Sequence, residues 1–216
     1  MKLSDHILNS KAQIKNIIFD WGGVITDLDF DACISAFKKY GMDNFIEQYN
    51  MQFQKDIYTK LETGSISADE FRAELRKIIP VPITDNELDE AWSALLGELP
   101  KERWDLLHRV KDYYRTYLLS NTNVIHVEWY FHRLYETYGI YGYKHLFEKT
   151  YFSYELKMRK PDIRVFEYVL KDSNLKPEET LLIDDYHENI ESAGRLGIIT
   201  CLLKEPETIL DIFKDG

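Results

Sequence analysis

The chain is poor in cysteine and in long apolar runs. Cys33 and Cys201 are its only cysteines among 216 residues, and they form no CxxC pair. Two thiols so far apart are typical of buried, reduced cysteines in a cytosolic protein, although a single disulfide between them stays open. No apolar run approaches the roughly 20 residues that span a bilayer, and the polar N-terminus lacks a signal-peptide core. We therefore predict a cytoplasmic protein without a membrane segment.

Excess positive charge is also absent. The formal net charge is −10, with 27 Lys and Arg residues against 37 Asp and Glu residues. Nucleic acids and anionic membranes require a basic face, so neither is an expected partner. A small phosphorylated molecule requires only a local positive pocket and remains compatible with this charge. The sequence does not distinguish a monomer from a homodimer.

What the chain does contain is an alternation of helix and strand patterns. The short, apolar, β-branched run at 14–20 predicts a buried strand. Further strands are predicted at 115–119, 149–152, 180–184 and 198–203, and helices at 101–112, 123–138, 162–172, 187–196 and 206–214. This order predicts an α/β fold with a mostly parallel sheet and helices on both faces.

A purely helical block interrupts this alternation after the first strand. Between 30 and 98 we predict helices at 31–40, 43–61, 67–79 and 84–97, the last two opened by capping boxes at Ser67–Glu70 and Thr84–Glu87. The block must be an insertion that lies over the carboxyl edge of the sheet. We predict a core formed by 1–29 and 99–216, with residues 30–98 as a helical cap.

Polar side chains follow three of the predicted strands. Asp20 ends the first strand, Ser120 and Asn121 end the second, and Asp184 and Asp185 follow the strand at 180–184. Parallel sheets bind ligands just outside the carboxyl ends of their strands, so these groups are expected in one crevice. Asp20 could serve as a nucleophile. Alternatively, it forms a turn or caps a helix.

The paired carboxylates and a lysine add chemistry to this crevice. Asp184 and Asp185 would repel each other without a nearby cation, and Mg²⁺ prefers oxygen ligands. Lys160 lies just before Pro161 at a predicted helix start, where a cation is unfavourable unless it answers anionic groups. Trp21, Gly22 and Gly23 form a turn whose backbone N–H groups could approach an anion. The alternative is a solvated lysine, a solvated or capping aspartate pair and an ordinary turn.

Taken in order, these segments resemble the haloacid dehalogenase superfamily of hydrolases, and specifically its subclass with a helical cap after the first motif. The resemblance extends over about 14–204 and is closest to sugar-phosphate phosphatases and to the phosphatase domain of soluble epoxide hydrolases. It implies a three-layer, Rossmann-like sheet core. The motifs are Phe19-Asp20-Trp21-Gly22-Gly23-Val24, Leu118-Leu119-Ser120-Asn121, Arg159-Lys160-Pro161-Asp162 and Ile183-Asp184-Asp185-Tyr186-His187-Glu188-Asn189.

The resemblance implies a magnesium-dependent phosphatase that acts on a small phosphorylated metabolite, with sugar phosphates as candidates. Asp20 would attack phosphorus and become an aspartyl-phosphate, while Lys160 would neutralise charge. The phosphate-binding groups would be Trp21, Gly22, Ser120, Asn121 and Lys160. Mg²⁺ would be held by Asp20, the Gly22 carbonyl and Asp185, with Asp184 and Asn189 nearby or acting through water.

One position departs from the family pattern. Most family phosphatases carry a second aspartate two residues after the nucleophile, as a general acid and base, and here that residue is Gly22. General acid–base assistance contributes roughly 10²–10⁴-fold. Three consequences are open: a slow enzyme, substrates with good leaving groups, or a substitute such as Asp27, Asp29 or a cap residue.

Three rival functions follow from the same residues. A 2-haloacid dehalogenase also lacks the second aspartate, but it uses no metal and does not keep the acidic pair. A phosphonoacetaldehyde hydrolase would need a Schiff-base lysine in the cap, for which Lys55 and Lys60 are candidates by position. The third rival is a catalytically weak phosphate-binding or partner-binding protein.

Overall fold

The computed structural model describes residues 2–3, 13–45, 56–139 and 142–214. Its centre is a five-stranded, fully parallel sheet with the strand order β4-β3-β2-β5-β6, and a separate pair of short strands, β1 and β7, runs antiparallel. The strands are β1 (Lys2–Leu3), β2 (Asn16–Phe19), β3 (Arg115–Ser120), β4 (Lys149–Phe152), β5 (Thr180–Asp184), β6 (Ile199–Leu202) and β7 (Phe213–Lys214).

Helices cover both faces of this sheet. Along β2, Ile17 and Phe19 enter one hydrophobic cluster while Ile18 enters another, as the two-residue period of a strand requires. In the core, α5 (Lys101–Val110), α6 (Val124–Tyr138) and α10 (Ile209–Ile212) contribute to the first cluster, and α8 (Ile163–Asp172) and α9 (His187–Gly194) to the second; α7 is the single turn Ser153–Leu156. The predicted three-layer α/β architecture is confirmed.

The segment inserted after β2 is helical, and its buried side chains form a hydrophobic cluster that also includes Ile125 of α6. Its described helices are α1 (Phe30–Lys38), α2 (Ile57–Glu62), α3 (Ala68–Arg76) and α4 (Asp85–Ser93). Both predicted capping boxes are present, with Ser67 and Thr84 as the N-caps of α3 and α4. The buried residues of this cluster include Phe37, Leu61, Phe71, Leu88 and Trp92.

The two linkers between core and cap are joined to each other. Leu28 and Leu96 form an antiparallel bridge, and the N–H of Asp29 donates to the Leu95 carbonyl at 2.8 Å. A Cβ at Gly97 would lie 2.9 Å from the Asp27 carbonyl oxygen, so glycine permits this close approach. This paired junction is therefore one attachment of the cap to the core.

Two parts of the secondary-structure prediction need comment. The predicted helix at 206–214 is wrong in extent: only Ile209–Ile212 is helical, and Phe213–Lys214 forms β7 against Lys2–Leu3. The predicted helix at 43–61 lies largely outside the described residues, and its described end is α2. Within the described ranges, no helix has the length and apolar character needed to cross a membrane.

Candidate active site

Asp20 lies at the carboxyl end of β2, where the chain leaves the sheet. Its backbone N–H still donates to the Ile183 carbonyl on β5 at 3.0 Å, which continues the pairing of the two strands. The side chain is 12% exposed, and its Oδ1 accepts a 2.7 Å hydrogen bond from the Trp21 N–H. The carboxylate is therefore oriented by the turn that follows it and remains accessible from one side.

Lys160 is fully buried beside this carboxylate. Its Nζ lies 3.0 Å from Asp20 Oδ2 and donates to Asp184 Oδ2 at 2.6 Å. Burial acts to lower the pKa of the ammonium, but the charges of Asp184 and Asp20 outweigh burial and raise that pKa. The lysine is thus a fixed cation between Asp20 and Asp184, and its predicted contact with a phosphate stays a prediction.

Asp184 organises the opposite side of the site. It ends β5 and is completely buried. Its Oδ2 accepts from Lys160, and its Oδ1 accepts from the Tyr186 N–H at 2.9 Å and from Asn189 Nδ2 at 2.8 Å. All its contacts hold the carboxylate in one orientation, so Asp184 serves as a scaffold between the lysine and the start of α9.

Asp185 lies against the glycine turn after Asp20. A Cβ at Gly23 would lie 2.1 Å from Asp185 Oδ2, and the φ of Gly23 is 73°. Both the close contact and the backbone conformation therefore favour glycine at this position. One carboxylate oxygen from each of Asp20, Asp184 and Asp185 lies within 4.8 Å of the others. Residues remote in sequence thus form an acidic cluster at the mouth of the sheet.

The raised pKa values of two carboxyl groups in this cluster indicate that it has too little positive charge. Burial, together with the charges of Asp184 and Asp185, raises the pKa of Asp20 to about 7 against the opposing effect of Lys160. The pKa of Asp185 is also raised, first by burial and then by the charge of Asp184. One ammonium does not balance three carboxylates. A divalent cation would.

The donor set fits Mg²⁺. All three side chains offer carboxylate oxygens, Asp185 is exposed towards solvent, and Mg²⁺ in proteins uses few carboxylates together with water and phosphate. Asp20 and Asp185 are the predicted side-chain ligands. The Gly22 carbonyl belongs to the turn between them, and its part in metal binding stays a prediction.

Two of the predicted phosphate-binding residues, Ser120 and Asn121, differ in the contacts that the structure gives them. Ser120 ends β3 and is 5% exposed. The Asn121 side chain is engaged by the Lys160 backbone: its Oδ1 accepts from the Lys160 N–H and its Nδ2 donates to the Lys160 carbonyl, both at 2.9 Å. Asn121 therefore positions the lysine, and its predicted contact with a phosphoryl oxygen stays a prediction.

The space beside Gly22 explains how the missing acid is accommodated. A Cβ at Gly22 would lie 3.2 Å from Leu28 Cδ2, so the Leu28 side chain occupies the direction in which an aspartate would extend. The two suggested substitutes are engaged elsewhere. Asp27 Oδ1 pairs with Arg103 at 2.7 Å, and Asp29 Oδ1 accepts from the Ala32 N–H as the N-cap of α1.

Some functional contacts were not apparent from the sequence. Glu62 at the end of α2 lies against Arg159, directly before Lys160, with 3.0 Å between Glu62 Oε2 and Arg159 Nε. Only the arrangement of cap and core brings these residues together. Of the two lysines weighed for Schiff-base chemistry, Lys60 is exposed on α2, and Lys55 lies outside the described residues.

Known proteins share both this fold and much of this sequence. Residues 14–197 match a family model described as haloacid dehalogenase-like hydrolase. The chain is 36% identical to a D-ribitol-5-phosphate phosphatase of Bacteroides thetaiotaomicron, over 87% of this chain and 90% of that protein.

Two solved structures are similar along nearly their whole length. One is a HAD family enzyme from B. thetaiotaomicron in complex with magnesium and inorganic phosphate, with a TM-score of 0.84 and 38% identity, over 93% of this chain and 100% of that one. The other is a predicted HAD-like hydrolase from Porphyromonas gingivalis, with a TM-score of 0.81 and 34% identity, over 91% and 94%.

Proposed function

Because the chain belongs to the haloacid dehalogenase-like hydrolases, we propose that it is a magnesium-dependent phosphatase of small phosphorylated metabolites, with Asp20 as its nucleophile. The observation that carries this proposal is the cluster around Asp20. An accessible carboxylate lies 3.0 Å from a buried ammonium and within 4.8 Å of two further carboxylates. A metal-free dehalogenase would have no use for that acidic pair.

The side chains suit attack by a carboxylate on phosphorus. Lys160 and the Trp21 N–H each contact one oxygen of Asp20, which fixes the carboxylate in place before substrate arrives. An Asp20 oxygen forms a bond to phosphorus, and the bond from phosphorus to the leaving oxygen breaks. Water then attacks the aspartyl-phosphate and regenerates Asp20. When bound, Mg²⁺ supplies positive charge that stabilises the transferring phosphoryl group.

Protonation of the leaving group is the weak point of this site. Gly22 provides no carboxylic acid, Leu28 occupies the adjoining space, and Asp27 and Asp29 are engaged in other contacts. The leaving oxygen therefore takes its proton from water, from a group of the substrate or from a cap residue. We expect the enzyme to be slower than relatives with the second aspartate, and to favour good leaving groups.

Sugar and polyol monophosphates are the first substrates to test. The similarity to a D-ribitol-5-phosphate phosphatase extends over 87% of the chain, and therefore includes more than half of the cap, residues 30–98, which we propose to set specificity. We further propose a cytoplasmic location, which two buried free cysteines support.

A panel of phosphorylated sugars, polyols and organic acids would test the proposal. Release of inorganic phosphate would be measured with Mg²⁺, with EDTA and with Asp20→Asn. We expect Mg²⁺-dependent turnover of at least one monophosphate, abolished by EDTA and reduced by about 10³-fold or more in Asp20→Asn. Turnover that persists with EDTA or in Asp20→Asn would refute the proposal.

A further inference from the structure

Two contacts join the end of α2 in the cap to the loop that carries Lys160. Glu62 Oε2 lies 3.0 Å from Arg159 Nε, and Lys157 Nζ donates a 2.7 Å hydrogen bond to the Gly64 carbonyl. We refer to these four residues as the cap–lysine bridge. In the sequence, its cap residues lie about midway between the paired linkers at Leu28 and Leu96. The bridge therefore gives the cap a second attachment to the core.

The backbone at the cap end of this bridge is shaped for close approach. Gly64 has a φ of 56°, and a Cβ on it would lie 2.5 Å from Lys157 Nζ and 2.5 Å from the Tyr154 carbonyl oxygen. Hydrogen bonds from the Gly64 N–H to the Leu61 carbonyl and from the Ser65 N–H to the Lys60 carbonyl fix the turn. A larger residue at Gly64 would push α2 away from the core.

The ion pair of the bridge is largely withdrawn from water. The side chains of Glu62 and Arg159 are 28% and 31% exposed. Burial raises the pKa of Glu62, whereas the charges of Arg159 and Lys160 act to lower it. The Glu62 carboxylate therefore interacts electrostatically with the Lys160 ammonium as well as with its direct partner, Arg159.

Lys160 is held from both sides. Asn121 accepts from its N–H and donates to its carbonyl, both at 2.9 Å, which fixes the backbone of residue 160 from β3. Arg159, the preceding residue, forms an ion pair with Glu62 of the cap, with 3.0 Å between Arg159 Nε and Glu62 Oε2. Any displacement of α2 therefore acts on the peptide segment that places the Lys160 ammonium 3.0 Å from Asp20.

Resting on the phosphatase function proposed above, we propose that Glu62 and Arg159 are positioning residues, which couple the seating of the cap to the placement of Lys160. Neither residue contacts Asp20. They act through the Lys160 backbone, so the cap, besides covering the substrate, completes the nucleophile's environment. A purely structural ion pair would contribute to stability without this effect on the reaction.

The test compares Glu62→Gln with Asp89→Asn. Asp89 accepts two hydrogen bonds from Arg72, at 2.9 and 2.7 Å, in a more deeply buried pair that lies wholly within the cap. We expect Glu62→Gln and Arg159→Gln to lower kcat by about 10- to 100-fold with little change in KM, and Asp89→Asn to leave kcat within about twofold. The exchange Glu62→Arg with Arg159→Glu should restore part of the loss. Equal kcat values for Glu62→Gln and Asp89→Asn would overturn the proposal.

A second readout does not depend on turnover. Amide hydrogen exchange of residues 157–162 should increase in Glu62→Gln and in Arg159→Gln and remain unchanged in Asp89→Asn. Unchanged exchange in all three variants would overturn the proposal even if the unaltered protein hydrolysed phosphate esters. Increased exchange in a protein without Mg²⁺-dependent turnover would sustain the coupling and refute the phosphatase function instead.

Discussion

Lys160 is the residue on which the integrity of the site depends most. It is completely buried and shared between Asp20 and the equally buried Asp184. Removal of one member of a buried ionic group leaves uncompensated charge, which is strongly destabilising. We therefore infer that the lysine stabilises the folded site, in addition to its proposed part in the chemistry.

We predict that Lys160→Met lowers the free energy of unfolding by about 3–5 kcal/mol in urea titrations without Mg²⁺. The matched control is Lys149→Met. Lys149 pairs with Asp172 at 2.8 Å, but both side chains are substantially exposed, so the change should be about 1 kcal/mol or less. Similar losses of stability in the two variants would show that removal of the Lys160 ammonium does not leave the destabilising, uncompensated charge that we infer.

Gly23 permits Asp185 to approach the nucleophile's turn. We predict that Gly23→Ala raises the Mg²⁺ concentration for half-maximal activity by about tenfold, because the new Cβ displaces the Asp185 carboxylate. Gly139→Ala is the control, since Gly139 has a similar φ of 64° but nothing within 4 Å of an added Cβ. A similar shift in both variants would attribute the effect to backbone strain alone.

For individual residues, the sequence identified the polar groups at the strand ends but not the contacts that each side chain makes. Asp20, Lys160 and the Asp184–Asp185 pair meet as predicted, because parallel strands end at one edge. The engagement of Asn121 with the Lys160 backbone and the position of Leu28 beside Gly22 depend on side-chain packing. No local pattern carries that information.

At the scale of elements, α4 of the cap packs against α6 of the core, and one histidine of α6 takes part in this contact. The ring of His126 stacks on Trp92 with 5.0 Å between centroids, and its Nε2 lies 3.3 Å from the Trp92 carbonyl, to which an Nε2–H can donate. Burial lowers the pKa of His126 to about 4. The neutral ring is therefore part of the contact between the two helices.

This contact predicts a dependence of stability on pH. The unfolded chain protonates His126 near its ordinary pKa of about 6.5, whereas the folded protein does so near 4, so acid favours unfolding between these values. We expect His126 to account for about 2 kcal/mol of stability lost between pH 7 and pH 5. The His126→Gln variant should lose about 2 kcal/mol less stability than the unaltered protein between pH 7 and pH 5, as measured by denaturant titrations at the two pH values.

His132→Gln provides the comparison on the same helix. His132 is 69% exposed and pairs with Glu136 at 3.2 Å, so its replacement should leave the pH dependence of stability nearly unchanged. If His126→Gln and the unaltered protein lost equal stability on acidification, His126 would not be held neutral by the contact with α4.

Element prediction succeeded where the signal was local. The parallel strands were predicted from short apolar runs, and α3 and α4 from their capping boxes. It failed at the C-terminus, where 206–214 read as a helix. There Phe213–Lys214 pairs with Lys2–Leu3, near the other end of the chain, and a remote partner overrides local helix propensity.

At the scale of the whole molecule, the cap and the core are connected by the paired linkers, by the contact of α4 with α6 and by the cap–lysine bridge. The active site lies where these attachments converge. The insertion after β2 could be predicted from its interruption of the strand–helix alternation, but its side-chain contacts with the core could not. The boundaries of the cap at 30 and 98 remain a prediction.

The central claim is that Asp20 and Asp185 hold one Mg²⁺ ion at the mouth of the sheet, and calorimetric titration with Mg²⁺ tests it most directly. The account predicts binding by the unaltered protein, weakened by at least about tenfold in Asp20→Asn and in Asp185→Asn. Glu188→Gln, which alters an exposed carboxylate on the adjoining turn of α9, should bind as the unaltered protein does. Equal affinity in all four proteins would contradict the account.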